Sequence, residues 1–599
     1  MRIHEIHIDN NKYEFLNNYT MKIKLFSIFI LFNFYANSQA PNWKWATGSG
    51  GLSDEYLQTL AIDSDNNTII IGQYFNDNMI LCNQNIDGSI QGIFFFIAKY
   101  SNAGSCDWVR AFGNENNYIA AYNIDCDQFG NIYVVGGYTG KLQFDHVTVE
   151  NKKLSLDGIL IKFNPEGKVL FVKTFDGNDY QAYLLNIKLD KLGNIFVSGI
   201  TNSSKVIIDN FEIINPRKSG GGNGTFLIKF DTLGDLEWSN ISFGQGGETT
   251  YGLEIDNNGE LLLAGFYGGS FDINDFVQFD SVKLINKSST TKYDIFLYKF
   301  NTSGKAIWGR SFGDSNFDEY TGIIKIDSKN NIYLSGTFAS NQFFFGKDTI
   351  NKIASSNLWD YILMKFDSNG NPIQAKNYFF GHSYFGFFNF AINKKDEISM
   401  HFIVSDSIIK VGNVSYKNFS KDRKGLSDFD NLILTIDNNG NYLWSKHYGS
   451  ELDDQASSIE YNKNEELIVC GDFDGARISF GNDTLNNLST DIGRGIPRNI
   501  FIAKLSYDTT TSINIPILKG EFILYPNPVI DMLTLVHNFE NSEFLILSAF
   551  DITGRQFELE YYLNDNRISI DTRILANGIY FIALKAKYEN SIEKFVVQH

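Results

Sequence analysis

The chain has 599 residues, of which 43% are hydrophobic and only 20% are charged, and this composition excludes a largely disordered protein. The net charge of −18 excludes a surface built to bind nucleic-acid phosphates, which needs clustered lysine and arginine. With 52 Phe, 31 Tyr and 51 Gly against 8 Pro, the chain is predicted to form many short strands joined by tight turns.

Residues 21–38 are predicted to be an export signal. The segment has a basic start at Met21, an apolar run from Leu25 to about Tyr35, and small residues at its end. This order is typical of a secretory signal peptide, and the apolar run is too short to span a bilayer. We interpret residues 1–20 as an extension that is untranslated or removed. The mature sequence has no apolar stretch long enough for a membrane helix.

Residues 39–505 contain seven copies of one repeat. The first string of a copy reads like AIDSDNNTIIIGQY, with a polar turn between two apolar runs. Its copies begin at Ala61, Asn123, Lys188, Glu254, Lys325, Ala391 and Glu460. A second string with the pattern F-x-x-K follows, then a turn containing glycine, and then in most copies a closing W…FG string. Asparagine and glycine suit these turns because they tolerate positive φ.

Each copy predicts four antiparallel strands, and a single four-stranded unit cannot bury both of its faces. The sequence therefore predicts an all-β, seven-bladed β-propeller, with an open solenoid as the alternative. The last copy ends at Ile500–Leu505 without a closing string, whereas Trp43–Gly48 supplies one. We expect these two segments to pair and close the ring, which removes an exposed sheet edge.

The strings D-x-x-G-N-x-Y-V-x-G and F-x-x-K resemble those of secreted bacterial β-propeller repeat proteins, over roughly residues 42–508. The resemblance implies the fold but no particular activity, because propellers carry many unrelated functions.

The chain has four cysteines, too few for a disulfide scaffold in a chain of this length: Cys82, Cys106, Cys126 and Cys470. We interpret the cysteines as buried free thiols. The alternative is a bridge, and the only pair that we name for it is Cys106 with Cys126.

Asp314, Asn316 and Asp318 have the 1, 3, 5 spacing of calcium loops but lack the glycine and the distal glutamate. Asp63 begins a similar string. Turn-forming carboxylates are the alternative for both, and we expect no metal or other cofactor, with calcium at the Asp314 loop as the one candidate.

Catalytic motifs are absent from the sequence: it contains no G-x-S-x-G, H-E-x-x-H, Walker loop or C-x-x-C. The glycine-rich stretch at 219–225 is interpreted as a loop and not a phosphate cradle. We therefore expect a protein that is not an enzyme, although a hydrolase or lyase on a propeller scaffold stays open.

In an up-and-down blade, the connections between the second and third strands and those between blades share one face. The longest of these connections are Asn202–Asn223, Gly268–Tyr293, Val411–Phe429 and Asn482–Arg498. Acidic residues also recur after the closing string, at Asp54, Asp179, Glu248, Asp318 and Asp453. Variable loops on a rigid scaffold are common binding sites, so we expect ligands at this face. The acids either ring the channel, where they hold a cation or sugar hydroxyls, or cap turns between blades.

Residues 506–521 break the repeat and are interpreted as a linker, and residues 522–599 predict a small β-sandwich. This last segment closely resembles the type A C-terminal sorting domain of the type IX secretion system of Bacteroidota. The residues that carry the resemblance are Tyr525, Pro526, Asn527, Pro528, Gly554, Arg555, Gly578, Tyr580 and Lys594. The ending Gln598-His599 departs from the family, in which a basic final residue is commoner.

The resemblance implies export to the periplasm, recognition by the outer-membrane type IX translocon, and release or attachment at the cell surface. We therefore expect a secreted or surface-attached binding or adhesion module, with a glycan or a surface protein as its ligand. The alternatives are a secreted hydrolase or lyase and a structural surface component.

Overall fold

A computed structural model describes most of the chain beyond residue 39. The described residues are 40–51, 54–75, 78–86, 92–114, 117–217, 222–269, 275–286, 292–313, 317–354, 358–380, 388–412, 414–419, 429–487, 498–507, 522–537, 546–551, 556–557, 559–564, 567–585 and 590–599. They form two compact units, divided between Tyr507 and Asp508, and contain strands and no helix. The predicted signal peptide, the extension before it and most of the predicted linker lie outside these residues.

The strands of the first unit form seven four-stranded antiparallel blades, which we number 1 to 7, and pairing of Asp157 with Ala182 joins blades 2 and 3 into one larger sheet. Blade 1 comprises Glu55–Ile62, Thr68–Phe75, Ile93–Tyr100 and Cys106–Phe112. Blade 2 comprises Ile119–Cys126, Ile132–Tyr138, Asp157–Phe163 and Val169–Gly177. Blade 3 comprises Ala182–Leu189, Ile195–Thr201, Gly224–Phe230 and Leu236–Ile241. Blade 4 comprises Gly247–Ile255, Leu261–Gly268, Tyr293–Phe300 and Ala306–Phe312.

The other three blades follow the same order. Blade 5 comprises Glu319–Ile326, Ile332–Phe338, Asp360–Phe366 and Pro372–Tyr378. Blade 6 comprises Asn389–Ile392, Ile398–Val404, Asp430–Ile436 and Tyr442–Tyr448. Blade 7 comprises Asp454–Tyr461, Leu467–Phe473, Asn499–Ser506 and, from the start of the chain, Asn42–Gly48.

The first strand of each blade contacts the first strand of the next, and that of blade 7 contacts that of blade 1. The first strands therefore surround a central channel, and the all-β propeller prediction is confirmed. Asn42–Gly48 pairs antiparallel with the third strand of blade 7, with Asn42 opposite Ser506 and Gly48 opposite Phe501. The expectation that this segment closes the ring is confirmed.

A short hairpin lies between the second and third strands of every blade. These hairpins are Met79–Leu81 with Gln84–Ile86, Gly140–Phe144 with Val147–Asn151, Lys205–Ile208 with Phe211–Ile214, Phe276–Phe279 with Val282–Ile285, Gln342–Phe345 with Asp348–Asn351, Ile408–Val411 with Val414–Lys417, and Arg477–Phe480 with Asp483–Asn486. In blades 1, 3 and 4 the hairpin pairs with Gly50–Gly51, with Asp176 and Gly177, and with Phe243–Gly244, respectively.

These hairpins fill the wedge between neighbouring blades. The Phe144 ring of the blade 2 hairpin lies 5.2 Å from Phe112 of blade 1, and Phe345 of the blade 5 hairpin lies 5.6 Å from Phe312 of blade 4. The hairpin turn reaches the start of the outermost strand, where Asp145 Oδ2 accepts a hydrogen bond from the Val169 amide. In the long connections of blades 3 and 4, which we expected on the loop face, alternating apolar residues are buried between blades and belong to the core: Val206, Ile208, Val277 and Phe279.

The polar turn of the repeat is held by its own aspartate. Asp327 Oδ1 accepts hydrogen bonds from the amides of Lys329 and Asn331, and its Oδ2 accepts one from the Asn331 side chain. Asp63 makes the same contacts in blade 1, and Lys99 of the F-x-x-K string lies 2.9 Å from its Oδ2. Backbone amides and Lys99 occupy the Asp63 carboxylate, so this string is a turn and not a calcium loop.

In blades 1, 3, 4 and 7 the tryptophan of the closing string contacts the next blade. Trp45 Nε1 of blade 7 donates to the Asn102 carbonyl of blade 1, beside Gly104, whose φ is +87°. A Cβ at Gly104 would lie 2.6 Å from the Trp45 ring, so the turn needs glycine for both conformation and space. Trp238 of blade 3 repeats the contact on blade 4, where it donates to the Thr302 carbonyl.

The Cys106–Cys126 bridge is wrong, and the free-thiol interpretation is confirmed for Cys126 and Cys470 but wrong for Cys82 and Cys106. Cys106 forms a disulfide with Cys82, in the turn of the blade 1 hairpin, at a Cα–Cα distance of 5.4 Å. Cys126 and Cys470 are free thiols. Cys106 begins the outermost strand, and the hairpin folds back onto that edge of the blade, whereas Cys126 ends a first strand beside the channel.

The second unit is a β-sandwich of two four-stranded sheets. One sheet comprises Phe522–Tyr525, Met532–His537, Arg567–Asp571 and Tyr561–Asn564, and the other comprises Gln556–Phe557, Ile546–Asp551, Gly578–Lys585 and Asn590–Val597. Its core contains Val529, Leu535, Ile570, Ile582 and Phe595. The predicted sandwich is confirmed.

Candidate functional site

The two ends of the channel are built from different parts of the repeat. At the lower end lie the turns that join first to second strands and third to fourth strands. At the upper end the first strands begin, and there the Glu55 amide donates to the Arg498 carbonyl and the Asp454 amide donates to the Phe429 carbonyl. Side chains near the starts of the first strands therefore reach the upper mouth.

A β-bulge recurs in the first strands and turns extra side chains toward the channel. The residues left unpaired in six blades are Gln58, Tyr122, Leu185, Tyr251, Gly322 with Ile323, and Ser457. Two of them are tyrosines. Three further tyrosines, Tyr56, Tyr183 and Tyr320, each precede the turn aspartate of their blade by the same number of residues.

Five consecutive blades thus place one tyrosine each in the upper part of the channel. We call Tyr56, Tyr122, Tyr183, Tyr251 and Tyr320 the tyrosine arc. The Tyr122 and Tyr183 rings lie 5.8 Å apart although they belong to different blades. Phe266 continues the arc, with its ring 5.9 Å from Tyr251 and 4.7 Å from Tyr320.

The arc keeps its hydroxyl groups protonated while its rings stay partly exposed. Burial raises the pKa of Tyr122, Tyr183 and Tyr251 above the ordinary value for tyrosine. Tyr56 is 36% exposed, and the other four are half-buried. The upper mouth therefore presents neutral aromatic side chains that carry hydrogen-bonding hydroxyls.

Charged residues close the gap in the arc at blade 7. Arg498 Nη1 lies 3.1 Å from Asp472 Oδ1, and its Nε lies 2.8 Å from Asp474 Oδ1. We call these three residues the arginine cluster. The guanidinium also lies 5.2 Å from the Tyr56 ring, so the cluster and the arc are continuous. Burial raises the pKa of Asp472 to about 8 despite the neighbouring guanidinium.

The acids that follow the closing string, for which a ring and turn caps were the alternatives, are engaged locally. Asp318 forms an ion pair with Lys292 at 2.9 Å, and Glu248 forms one with Arg217. The Asp179 carboxylate accepts hydrogen bonds from the Ser203 hydroxyl and the Ser204 amide. Asp54 and Asp453 likewise accept from the backbone amides of Arg498 and Phe429. These contacts fit caps between blades better than an open ring.

The calcium candidates are only partly described, because Asp314 and Asn316 lie outside the described residues. Asp318 is engaged by Lys292 and by the Tyr293 amide. Within the described part of the chain, no group of three or more His, Cys, Asp or Glu is placed to hold a metal ion.

The lower part of the channel holds a cavity of about 250 Å³, and Tyr251 is among the residues that line it. Charges of both signs line it at one repeat position in blades 2, 3, 5 and 7: Asp125, Lys188, Lys325 and Glu460. Glu254 holds the same position in blade 4. Lys188 lies 3.2 Å from Glu254, and Lys325 lies 2.6 Å from Glu460. These groups largely satisfy one another, so we place the candidate ligand site at the upper mouth.

In the sandwich, Asn527 is the predicted residue with the clearest local role. Its side chain donates to the Lys594 carbonyl and accepts from the Val596 amide, which fixes the Tyr525–Pro528 segment against the last strand. Tyr580 packs on Phe595 and donates to the Ala576 carbonyl, beside Gly578. Gly554 and Arg555 lie outside the described residues.

Sequence reasoning missed the tyrosine arc and the arginine cluster. The arc was visible in the aligned copies as a tyrosine five or seven residues before each turn aspartate in blades 1 to 5. Arg498 had no such signal, because it follows a variable connection and contacts acids from another strand.

Comparison with known proteins identifies the second unit. Residues 523–598 match the family described as the secretion system C-terminal sorting domain. An uncharacterized WD repeat-containing protein of Acanthamoeba polyphaga mimivirus is 22% identical over 362 residues, which is 51% of this chain and 25% of that protein. The chain thus matches a quarter of that relative's length.

Solved structures resemble the chain only distantly. An ulvan lyase from a new polysaccharide lyase family covers 71% of this chain and 93% of its own, at 10% identity and a TM-score of 0.38. The endosialidase of phage phi92 covers 93% and 87%, at 8% identity and a TM-score of 0.36. The lignostilbene dioxygenase of Pseudomonas brassicacearum covers 77% and 92%, at 10% identity and a TM-score of 0.33.

Among the described residues, no helix is long and apolar enough to cross a membrane. The sorting domain marks the chain for the type IX machinery, and the protein is secreted or attached to the outer cell surface. The carboxy-terminal unit is therefore a member of the secretion system C-terminal sorting domain family, and it follows an all-β propeller in the sequence.

Proposed function

We propose that the propeller is a surface-delivered binding module whose ligand site is the upper mouth of the channel. The observation that carries this proposal is the tyrosine arc, to which five consecutive blades contribute one side chain each. Packing within a blade does not require a tyrosine there, because blade 7 has Gln455 and Ser457 at the corresponding positions. Aromatic side chains with a few convergent polar groups are the usual lining of a ligand site.

The test compares the full-length exported protein with two variants for binding to intact cell surfaces and to extracellular polymer. Tyr183→Ala combined with Tyr320→Ala removes two rings of the arc. Phe129→Ala is the matched control, since Phe129 is an exposed aromatic residue in a turn at the lower end. We expect at least a tenfold weaker binding for the arc variant and no change for the control. Equal loss in both, or in neither, contradicts a ligand site at the upper mouth.

A second candidate is a hydrolase or lyase, and the arginine cluster favours it. Burial raises the pKa of Asp472 to about 8, so its carboxyl group is protonated at neutral pH and able to act as a general acid. It lies beside Arg498, with Tyr56 on the other side of the guanidinium. The test is release of reducing ends or unsaturated products from soluble polysaccharides by the full chain. Asp472→Asn is expected to abolish such an activity, and absence of any product from the wild type rejects this candidate.

A further inference from the structure

The charges at the upper mouth limit the chemistry of its ligand. Each of four basic side chains there is already held by carboxylates within the described structure. Arg498 contacts Asp472 and Asp474, and Lys292 contacts Asp318. The remaining two pairs are Arg217 with Glu248, and Lys153 with Asp157 and Asp176.

A polyanion needs cations that it can bind without first breaking an existing pair. To bind Arg498 or Lys292, the sulfates or carboxylates of such a ligand would have to displace the protein carboxylates that hold these two side chains within the described structure. Arg217 and Glu248 are only 4% and 1% exposed, so breaking their pair would leave a buried charge unpaired. The net charge of −18 adds repulsion at longer range.

The tyrosine arc favours the opposite kind of ligand. The face of an aromatic ring carries partial negative charge, which attracts C–H groups and repels anions. The ring faces pack against apolar C–H patches, and the protonated tyrosine hydroxyls exchange hydrogen bonds with hydroxyl groups of a ligand. Because the rings come from adjacent blades, 5.8 Å apart at Tyr122 and Tyr183, they offer successive contacts to one bound chain.

We infer that the ligand is an uncharged glycan chain bound across the tyrosine arc, and not an acidic or sulfated polysaccharide. This inference rests on the proposed binding function and specifies its ligand class. The arginine cluster contributes hydrogen-bond acceptors and donors for sugar hydroxyls at the end of the arc, while the contact between Arg498 and Asp474 stays intact.

The experiment measures binding of the full-length exported protein to four soluble probes at low and high salt. The probes are a neutral β-glucan, a neutral mannan, a polyuronate and a sulfated polysaccharide. We expect binding to at least one neutral probe, little changed by salt because no ion pair forms with the ligand. Tyr183→Ala should weaken it at least tenfold, Tyr183→Phe should weaken it much less because the ring remains, and Phe129→Ala should leave it unchanged.

Each of the other outcomes overturns a specific part of the inference. Salt-sensitive binding of a polyanion that Tyr183→Ala abolishes overturns the ligand class but leaves the binding site in place. Absence of binding to both neutral probes overturns the inference, while the cell-surface assay with the arc variant decides the proposed function separately. Neutral-glycan binding that is equally strong in Tyr183→Ala places the glycan elsewhere on the protein and overturns the inference.

Discussion

The lower and upper ends of the channel use the same repeat in opposite ways. At the lower end, blade after blade repeats one set of contacts, such as the hydrogen bonds of Asp63 and Asp327 within their turns. At the upper end, equivalent positions hold tyrosine in some blades and glutamine or serine in blade 7. Positions that repeat in every blade serve the architecture, and positions where blades differ are the ones free to carry function.

The Trp45 contact between blade 7 and blade 1 gives the most severe test of the structural role that we assign to repeated positions. Trp45→Ala removes a ring that packs over Gly104 and the hydrogen bond to the Asn102 carbonyl, at the joint between blade 7 and blade 1. We expect a loss of about 3 kcal/mol in the free energy of unfolding, typical of truncating a large packed aromatic residue. Chemical denaturation measures it.

Trp238→Ala is the matched control, because it removes the same contact between two blades that are consecutive in sequence. If Trp45→Ala unfolds the propeller more readily than Trp238→Ala, ring closure has a stabilising role beyond the local contact. Equal losses mean that all blade joints are equivalent. A negligible loss in Trp45→Ala contradicts the closed ring.

A buried turn aspartate should have the next largest effect. Asp327→Ala leaves the amides of Lys329 and Asn331 and the Asn331 side chain without their acceptor. We expect a loss of about 2 kcal/mol, since unsatisfied buried donors cost about 1–3 kcal/mol. Asp327→Asn should lose less, because its side-chain oxygen still accepts. A loss below that of an average surface substitution would show that the repeated turn is not a stabilising element.

Much of the fold was predictable because the same sequence pattern occurs in seven copies. The turn aspartate, the F-x-x-K lysine and the closing tryptophan defined the repeat and its strands, and in the structure they make the contacts described at Asp63, Lys99 and Trp45. The partner of Cys106 was not predictable, because no repeat unit specifies how the variable hairpin folds back.

The candidate site was less predictable, because its ion pairs lie outside the repeated pattern. The acids after the closing string suggested a ring, but Asp318 and Glu248 are paired with Lys292 and Arg217 from variable connections. Such pairs join segments that are distant in sequence and occur in single blades, so periodicity carries no information about them.

A pH titration separates the arginine cluster from the repeated turns. The folded pKa of Asp472, raised by burial to about 8, lies above its ordinary value of about 3.9. Between these values the folded protein holds a proton that the unfolded chain has released, so rising pH favours unfolding until the folded carboxyl group also ionises near pH 8. We expect the denaturation midpoint to fall with a steeper slope in the wild type than in Asp472→Asn from pH 5 to 8.

The slope of the denaturation midpoint against pH is compared between the wild type and Asp472→Asn. Burial also raises the pKa of Glu55 and Asp454, and these two groups add the same slope to both proteins. The slopes should converge above pH 8. Parallel profiles from pH 5 to 8 would mean that Arg498 keeps Asp472 ionised, and the general-acid candidate would lose its support.

The smallest expected effect concerns an acid at the upper mouth. Asp318→Ala removes an ion pair with Lys292, whose side chain is 36% exposed, and a hydrogen bond from the Tyr293 amide. Exposed pairs contribute about 0–1 kcal/mol, so we expect at most about 1 kcal/mol in denaturation, well below the change in Asp327→Ala. Stability is then set by the lower turns and blade joints, and the mouth is free to change its ligand chemistry without unfolding the ring. A loss in Asp318→Ala as large as that in Asp327→Ala would remove this distinction, because the acids of the mouth would then be as architectural as those of the turns.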